Sequence, residues 1–209
     1  MKIAAGDFQI VIQALADTGL LLESDAQLPS VAGLIAKEPI KGSWWTHARS
    51  HDIFKVLGEF ADHSDVIFTK LISGKVTLVH RKLWPEIFAI GEAREVWQMK
   101  TLSRSASSLL EMVDQHGSIR TDALDWPKNA PAKLGDAARE LEKKLLVSSA
   151  QFHGESGAHV KLLEGWKVWA KRMDFKPRAI SADDSKRKFE AILEKLNSQF
   201  AAKGTLPWL

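Results

Sequence analysis

Between Asp7 and Gly19 the apolar residues Phe8, Ile10, Val11, Ile12, Ala14, Leu15 and Ala16 recur at mostly helical spacing, which predicts one helix with Asp7 as N-cap and Gly19 as stop. Leu28-Pro29-Ser30 opens a short second helix through Ala36, with Pro29 in the first turn, where its missing N–H costs little. A third helix starts at Ser50 or Asp52 and runs to His63, carrying Ile53, Phe54, Val56, Leu57 and Phe60 as an apolar stripe. The periodicity then changes. Val66 to Ile72 and Lys75 to Val79 are β-rich runs joined by Ser73-Gly74, the pattern of a hairpin. Arg81 to about Trp97 reads as a further helix, with Pro85 close enough to its start to be accommodated.

The order of elements then repeats. Ser105 to His116 is helical with Leu109, Leu110, Met112 and Val113 inward, Gly117 ends it, and Ser118-Ile119-Arg120 is a short extended piece. Thr121 caps a brief helix through Trp126. Pro131 begins a helix to Leu145 with Leu134, Ala137, Ala138, Leu141 and Leu145 on one face. Leu146 to Phe152 pairs with Ala158 to Leu163 across a tip at His153-Gly154-Glu155-Ser156-Gly157. Helix, short strand, two helices and a two-stranded wing is the order of a winged helix-turn-helix. The fold class expected is therefore α+β, with two such units in tandem and a C-terminal helix from Ser181 or Asp183 to about Ala202. The corresponding divisions are a helix and hairpin unit over 1–100, a winged helix over 101–165, and a basic linker with the C-terminal helix over 166–209. Leu206-Pro207-Trp208-Leu209 is apolar enough to dock on the body.

Composition narrows the class. Hydrophobic residues make up 45% of the 209 and charged residues 26%, too apolar for disorder, and no apolar run is long enough to span a bilayer. The absence of cysteine excludes disulfides, thiolate nucleophiles and thiolate-bound zinc. Without a secretory pattern at its start, the chain is expected in the cytoplasm. A net charge of +3 suits a nucleic-acid partner without requiring one.

Candidate chemistry gathers in a few places. Trp45, His47, Arg49, His51 and Asp52 place two imidazoles, a guanidinium and a carboxylate beside an indole, with Trp44 next in the chain. His47 and His51, at i and i+4, share a face if the segment is helical, and Asp52 lies where it can orient His51 for proton transfer. No third ligand at a recognised spacing follows, so no metal is assigned. The alternative has Trp44 and Trp45 in the core and the polar groups at a helix start. Lys128 and Lys133 flank the start of the presumed recognition helix, where a helix N-terminus favours phosphate. Asp136, Glu140 and Glu142 on that helix oppose a polyanion, and Glu140 and Lys144 are spaced for an ion pair. Lys75, Arg81 and Lys82 mark the more basic wing. Lys171 and Arg172 belong to a second basic stretch in which Trp166 and Trp169 are interleaved, either along a phosphate backbone or in a solvated linker. No phosphate loop, dinucleotide fingerprint or nucleophile elbow is present, and no cofactor is expected.

Gly42-Ser43-Trp44-Trp45-Thr46-His47, Ser64-Asp65-Val66 and the run from Gly74 to Pro85 resemble the bacterial proteins grouped as AlkZ-related, over residues 28 to 98. The resemblance implies tandem winged helices and association with DNA. The related glycosylases use a Gln-x-Gln or Gln-x-Asp pair. This chain has Gln9 and Gln13 instead, four apart, so no catalytic residue is carried over. Three readings stand: a duplex-DNA-associated winged-helix protein of modest sequence selectivity, a glycosylase-like repair enzyme, and a protein-interaction module.

Overall fold

The computed structural model describes residues 5–61, 63–153 and 159–209 and divides into two compact units. The first holds the described residues up to Trp84 together with Lys186–Pro207 and Leu209; the second holds Pro85–Ser185 and Trp208. The architecture is mixed α and β, with helices and two small antiparallel three-stranded sheets among the described residues.

In the first unit the chain runs through α1 (Ala5–Thr18), β1 (Leu20–Leu22), α2 (Val31–Ala36), α3 (Ser50–Ala61), β2 (Val66–Thr69) and β3 (Thr77–His80). Asp7 lies inside α1 and not at its cap, because the helix begins ahead of it and its carboxylate is taken up by Arg49. Gly19, at φ 84°, ends the helix and donates back to Leu15 O at 2.7 Å. β1 was not legible as a strand: three consecutive buried leucines show no alternation. It pairs with β3, which also pairs with β2, so the sheet order is β1-β3-β2, with Leu20 opposite Val79 and Val66 opposite His80. The predicted hairpin forms, but its strands are shorter and its connection longer than a two-residue turn. Ile72–Gly74 is a single 3-10 turn with Ser73 in the left-handed region. At α2 the cap is Ser30, whose side chain accepts from Gly33 N at 3.1 Å, so Pro29 precedes the helix and does not occupy its first turn. Val11, Leu15, Ile35, Trp44, Ile53, Val56, Phe60 and Leu78 form the core, with Phe8 stacked on Phe60. Phe54, expected in that stripe, faces outward.

The C-terminal segment Lys186–Pro207 belongs to this unit as well. α9 (Ala182–Phe200) buries Phe189, Leu193 and Leu196, whereas Phe200 is exposed. Gly204 fits against Leu193, Leu28 and Ile72, Thr205 O accepts from Ser73 N at 2.8 Å, and Leu206 is buried.

From Pro85 the second unit contains the rest of α4 (Trp84–Ala93), then α5 (Val96–Met99), α6 (Arg104–His116), β4 (Ser118–Arg120), α7 (Leu134–Lys143), β5 (Ser148–His153), β6 (His159–Glu164) and α8 (Trp166–Arg172). The single helix expected from Arg81 to Trp97 is divided. Arg81–Leu83 is a 3-10 turn, Arg94 adopts φ 47°, and Glu95 with Gln98 forms a capping box that restarts the chain as α5. α6 is capped by Ser103. The brief helix expected from Thr121 to Trp126 is absent, because Thr121 exchanges hydrogen bonds with Lys161 and continues the strand pairing instead. α7 starts at Leu134 and not Pro131.

The second sheet has the order β4-β6-β5, matching the first in topology, with Ser118 and Ser148 both opposite Glu164. The expected wing tip from Gly154 to Gly157 lies outside the described residues. Leu109, Leu110, Val113, Ala138, Leu141, Val147 and Leu163 form this unit's core. The segment after Gly165, expected as a linker, is helical at α8, and its Trp166 and Trp169 are buried. Trp166 donates to Leu145 O at 2.7 Å and crosses Gly91 so closely that a Cβ there would lie 2.1 Å from the indole nitrogen. No helix among the described residues is long and apolar enough to cross a membrane.

Candidate nucleic-acid interface

The polar cluster before and within α3 separates into structural and exposed members. Arg49 is a clasp: its Nε donates to Asp52 at 3.0 Å, Nη2 to Asp7 at 2.5 Å, and Nη1 to Ile35 O. Hydrogen bonds to Asp52 and then Asp7 hold the guanidinium's pKa above its ordinary value. His47 precedes the helix in extended conformation, with Nε2 2.9 Å from Glu38 and Nδ1 accepting from Arg49 N. It therefore does not share a helical face with His51, which lies exposed in the first turn of α3. No group of three His, Asp or Glu suited to a metal occurs among the described residues.

Trp44 and Trp45 have different fates. Trp44 is buried and donates to Glu23 at 2.9 Å. Trp45 stacks on it at 4.1 Å between ring centroids, yet is 59% exposed.

The three basic residues expected to mark the first unit's wing are engaged. Lys75 pairs with Asp25 at 2.6 Å. Arg81 lies 3.5 Å from Asp65 and 5.1 Å over the Trp84 ring. Lys82 donates to the carbonyls of Ala16 and Asp17, closing the end of α1. Next to them, burial and then the Lys82 charge hold the His80 imidazole's pKa below its ordinary value.

In the second unit Arg172 grips the buried Glu164 through Nε and Nη2, and that hydrogen bonding raises the guanidinium's pKa. Lys171, its neighbour on α8, is exposed. Lys128 and Lys133 are exposed and make no ion pair with any described residue.

The faces of α7 differ from the expectation in one important respect. Glu142 is buried and accepts from Lys161 at 2.7 Å and Ser149 at 2.8 Å, while Glu140 accepts from Ser103 N and Oγ. Both acids are thus consumed inside the unit. The expected Glu140–Lys144 pair is absent, because Lys144 donates to Trp97 O and lies over its ring. Asp136, Arg139 and Lys143 are left on the exposed face, with Asp136 and Arg139 paired at 3.1 Å. Arg139 and Lys143, which the sequence places along the presumed recognition helix, lie opposite Leu134, Ala138 and Leu141.

A family model described as AlkZ related matches residues 7–206. The chain belongs to the AlkZ-related family. No curated protein and no solved structure matches it. The match runs well beyond residues 28 to 98, whose motifs carried the resemblance. In this AlkZ-related chain those motif residues are largely structural: Leu83 and Trp84 are buried, Trp84 donates to Val79 O, and His80 Nδ1 accepts from Lys82 N. Gln9 and Gln13 are exposed on α1, and Gln13 donates to Asp17.

Proposed function

We propose that this AlkZ-related chain is a cytoplasmic, DNA-associated protein of two winged helix-turn-helix units that grips duplex phosphates with little sequence selectivity. The family's name supports a connection with DNA repair. In favour of the architecture, each unit has a sheet of the same order and a helix, α3 or α7, immediately before the two-stranded hairpin, the position of a recognition helix. The observation that carries the DNA reading is the sorting of charge on α7. Glu140 and Glu142 are spent on internal partners, so Lys133, Arg139 and Lys143 outnumber Asp136 on the outward side, with Lys128 in the preceding turn. A helix start with cations suits a phosphate, whereas the polar contacts offer no dense base-reading set.

Titrating a labelled duplex at several salt concentrations tests this. Each neutralised phosphate contributes about 0.9 to the slope of log affinity against log salt, so Lys133→Ala with Lys143→Ala should flatten it by roughly two. Replacing Lys75 and Arg81, which already have carboxylate partners, should change it less. Unrelated duplexes should respond alike. Failure to bind duplex at low salt would overturn the reading.

A further inference from the structure

We propose that Trp45 is a stacking platform for an unpaired base of single-stranded DNA; this deepens the DNA association proposed above and rests on it. The indole is held in place from beneath. Trp44 is buried and tied to Glu23, and Trp45 lies nearly parallel to it, at 22°, while remaining 59% exposed. A large flat ring is therefore fixed with one face supported and much of its surface open to solvent, so little motion is lost when another ring settles on it. Its neighbour Phe54, tilted at 5.7 Å, is 45% exposed although it belongs to the otherwise buried-side pattern of α3.

The surroundings select the occupant. On α3, His51, Phe54, Lys55 and Gly58 follow at i, i+3, i+4 and i+7 and share one face. Lys55 makes no ion pair with any described residue, and Lys41, just ahead of the two tryptophans, is exposed and likewise unpaired among them. Of the nearby acids, Asp52 is drawn to Arg49 and Glu38 to His47, while Glu59, four residues after Lys55 on α3, is exposed. At Gly58 an added Cβ would meet nothing within 4 Å, so no internal contact requires the glycine, and its bare backbone leaves room for a strand to pass. Aromatic faces beside Lys41 and Lys55, with Asp52 and Glu38 already engaged and Glu59 the acid left exposed nearby, suit a base and its phosphate better than an acidic or apolar peptide.

The test uses the full chain with a short labelled oligothymidylate and a fully paired duplex at low salt. Trp45→Ala should weaken oligothymidylate binding about tenfold or more, while Trp45→Phe retains most of it and all three proteins bind the paired duplex alike. Oligothymidylate should quench indole emission of the wild type more than that of Trp45→Phe, and unchanged melting of both variants shows that the fold persists. If wild type and Trp45→Ala bind oligothymidylate equally while duplex is still bound, the platform is overturned and the association stands. Loss of duplex and single strand alike in Trp45→Ala overturns the assignment to an unpaired base. Absence of binding to either DNA by the wild type overturns the association, and the platform with it.

Discussion

Asp25 accepts from the amides of Gln27 and Leu28, each at 2.9 Å, and from Lys75 Nζ. Burial alone would raise its carboxyl, but the Lys75 hydrogen bond and the two amides outweigh that and hold it below the ordinary 3.8. A carboxyl whose folded pKa lies below its unfolded value contributes stability that is fully present above the unfolded pKa. That contribution fades as pH falls through the folded one. Asp25→Asn should therefore lower stability by about 1 to 2 kcal/mol at neutral pH and show a flatter fall in melting temperature on acidification. Thermal melts across the acid range check it; parallel curves for the two proteins would contradict it. The cluster around Arg49 illustrates what sequence can offer at this scale. Asp52, expected to orient His51, pairs with Arg49 three residues before it, and Asp7 and the Ile35 carbonyl reach the same guanidinium only through the packing of three helices. A group of charged residues that reads as chemistry is in large part a fastening.

Two glycines in helices separate packing from propensity. Gly91 on α4 lies under Trp166, and no rotation of the indole is free to relieve a new methyl because its N–H is held by Leu145 O. Gly91→Ala should destabilise the second unit by about 2 kcal/mol or more. Gly58→Ala, in open space on α3, should stabilise by about 0.5 to 1 kcal/mol. Denaturant titrations of both variants decide it, and equal effects of one sign would contradict the contrast. The helices with strong apolar stripes, α3, α6, α7 and α9, were readable in the sequence to within a few residues, as was the existence of both hairpins. What escaped depends on distant partners. β1 becomes a strand because β3 supplies its hydrogen bonds, α8 is helical because Trp166 and Trp169 have a core to enter, and Thr121 is diverted by Lys161 from capping a helix. For the candidate interface, the basic residues were legible as types. Which of them are spent internally was not: Arg172 holds Glu164 and Lys82 closes α1, whereas Lys128 and Lys133 stay outside.

The chain enters and leaves the first unit twice. Its α1 to β3 portion is completed by Lys186–Pro207, where Ala201 O accepts from Gln27 Nε2, Thr205 pairs with Ser73, and Leu206 is buried, while the second unit is nearly continuous over Pro85–Ser185. This connectivity orders events in time. During synthesis the second unit has its residues almost complete before the first does, and the amino-terminal half must wait with Leu28 and Ile72 uncovered until Gly204 and its neighbours leave the ribosome. In pulse-labelled refolding of the whole chain, amides of α6 and β6 should gain protection before those of β1 and β3. Simultaneous protection would show that the early half reaches its structure without its last segment. If the delay holds, this period of synthesis is when the nascent chain is most open to a chaperone or a protease, and a premature stop in α9 would leave an amino-terminal half that stays in that exposed state.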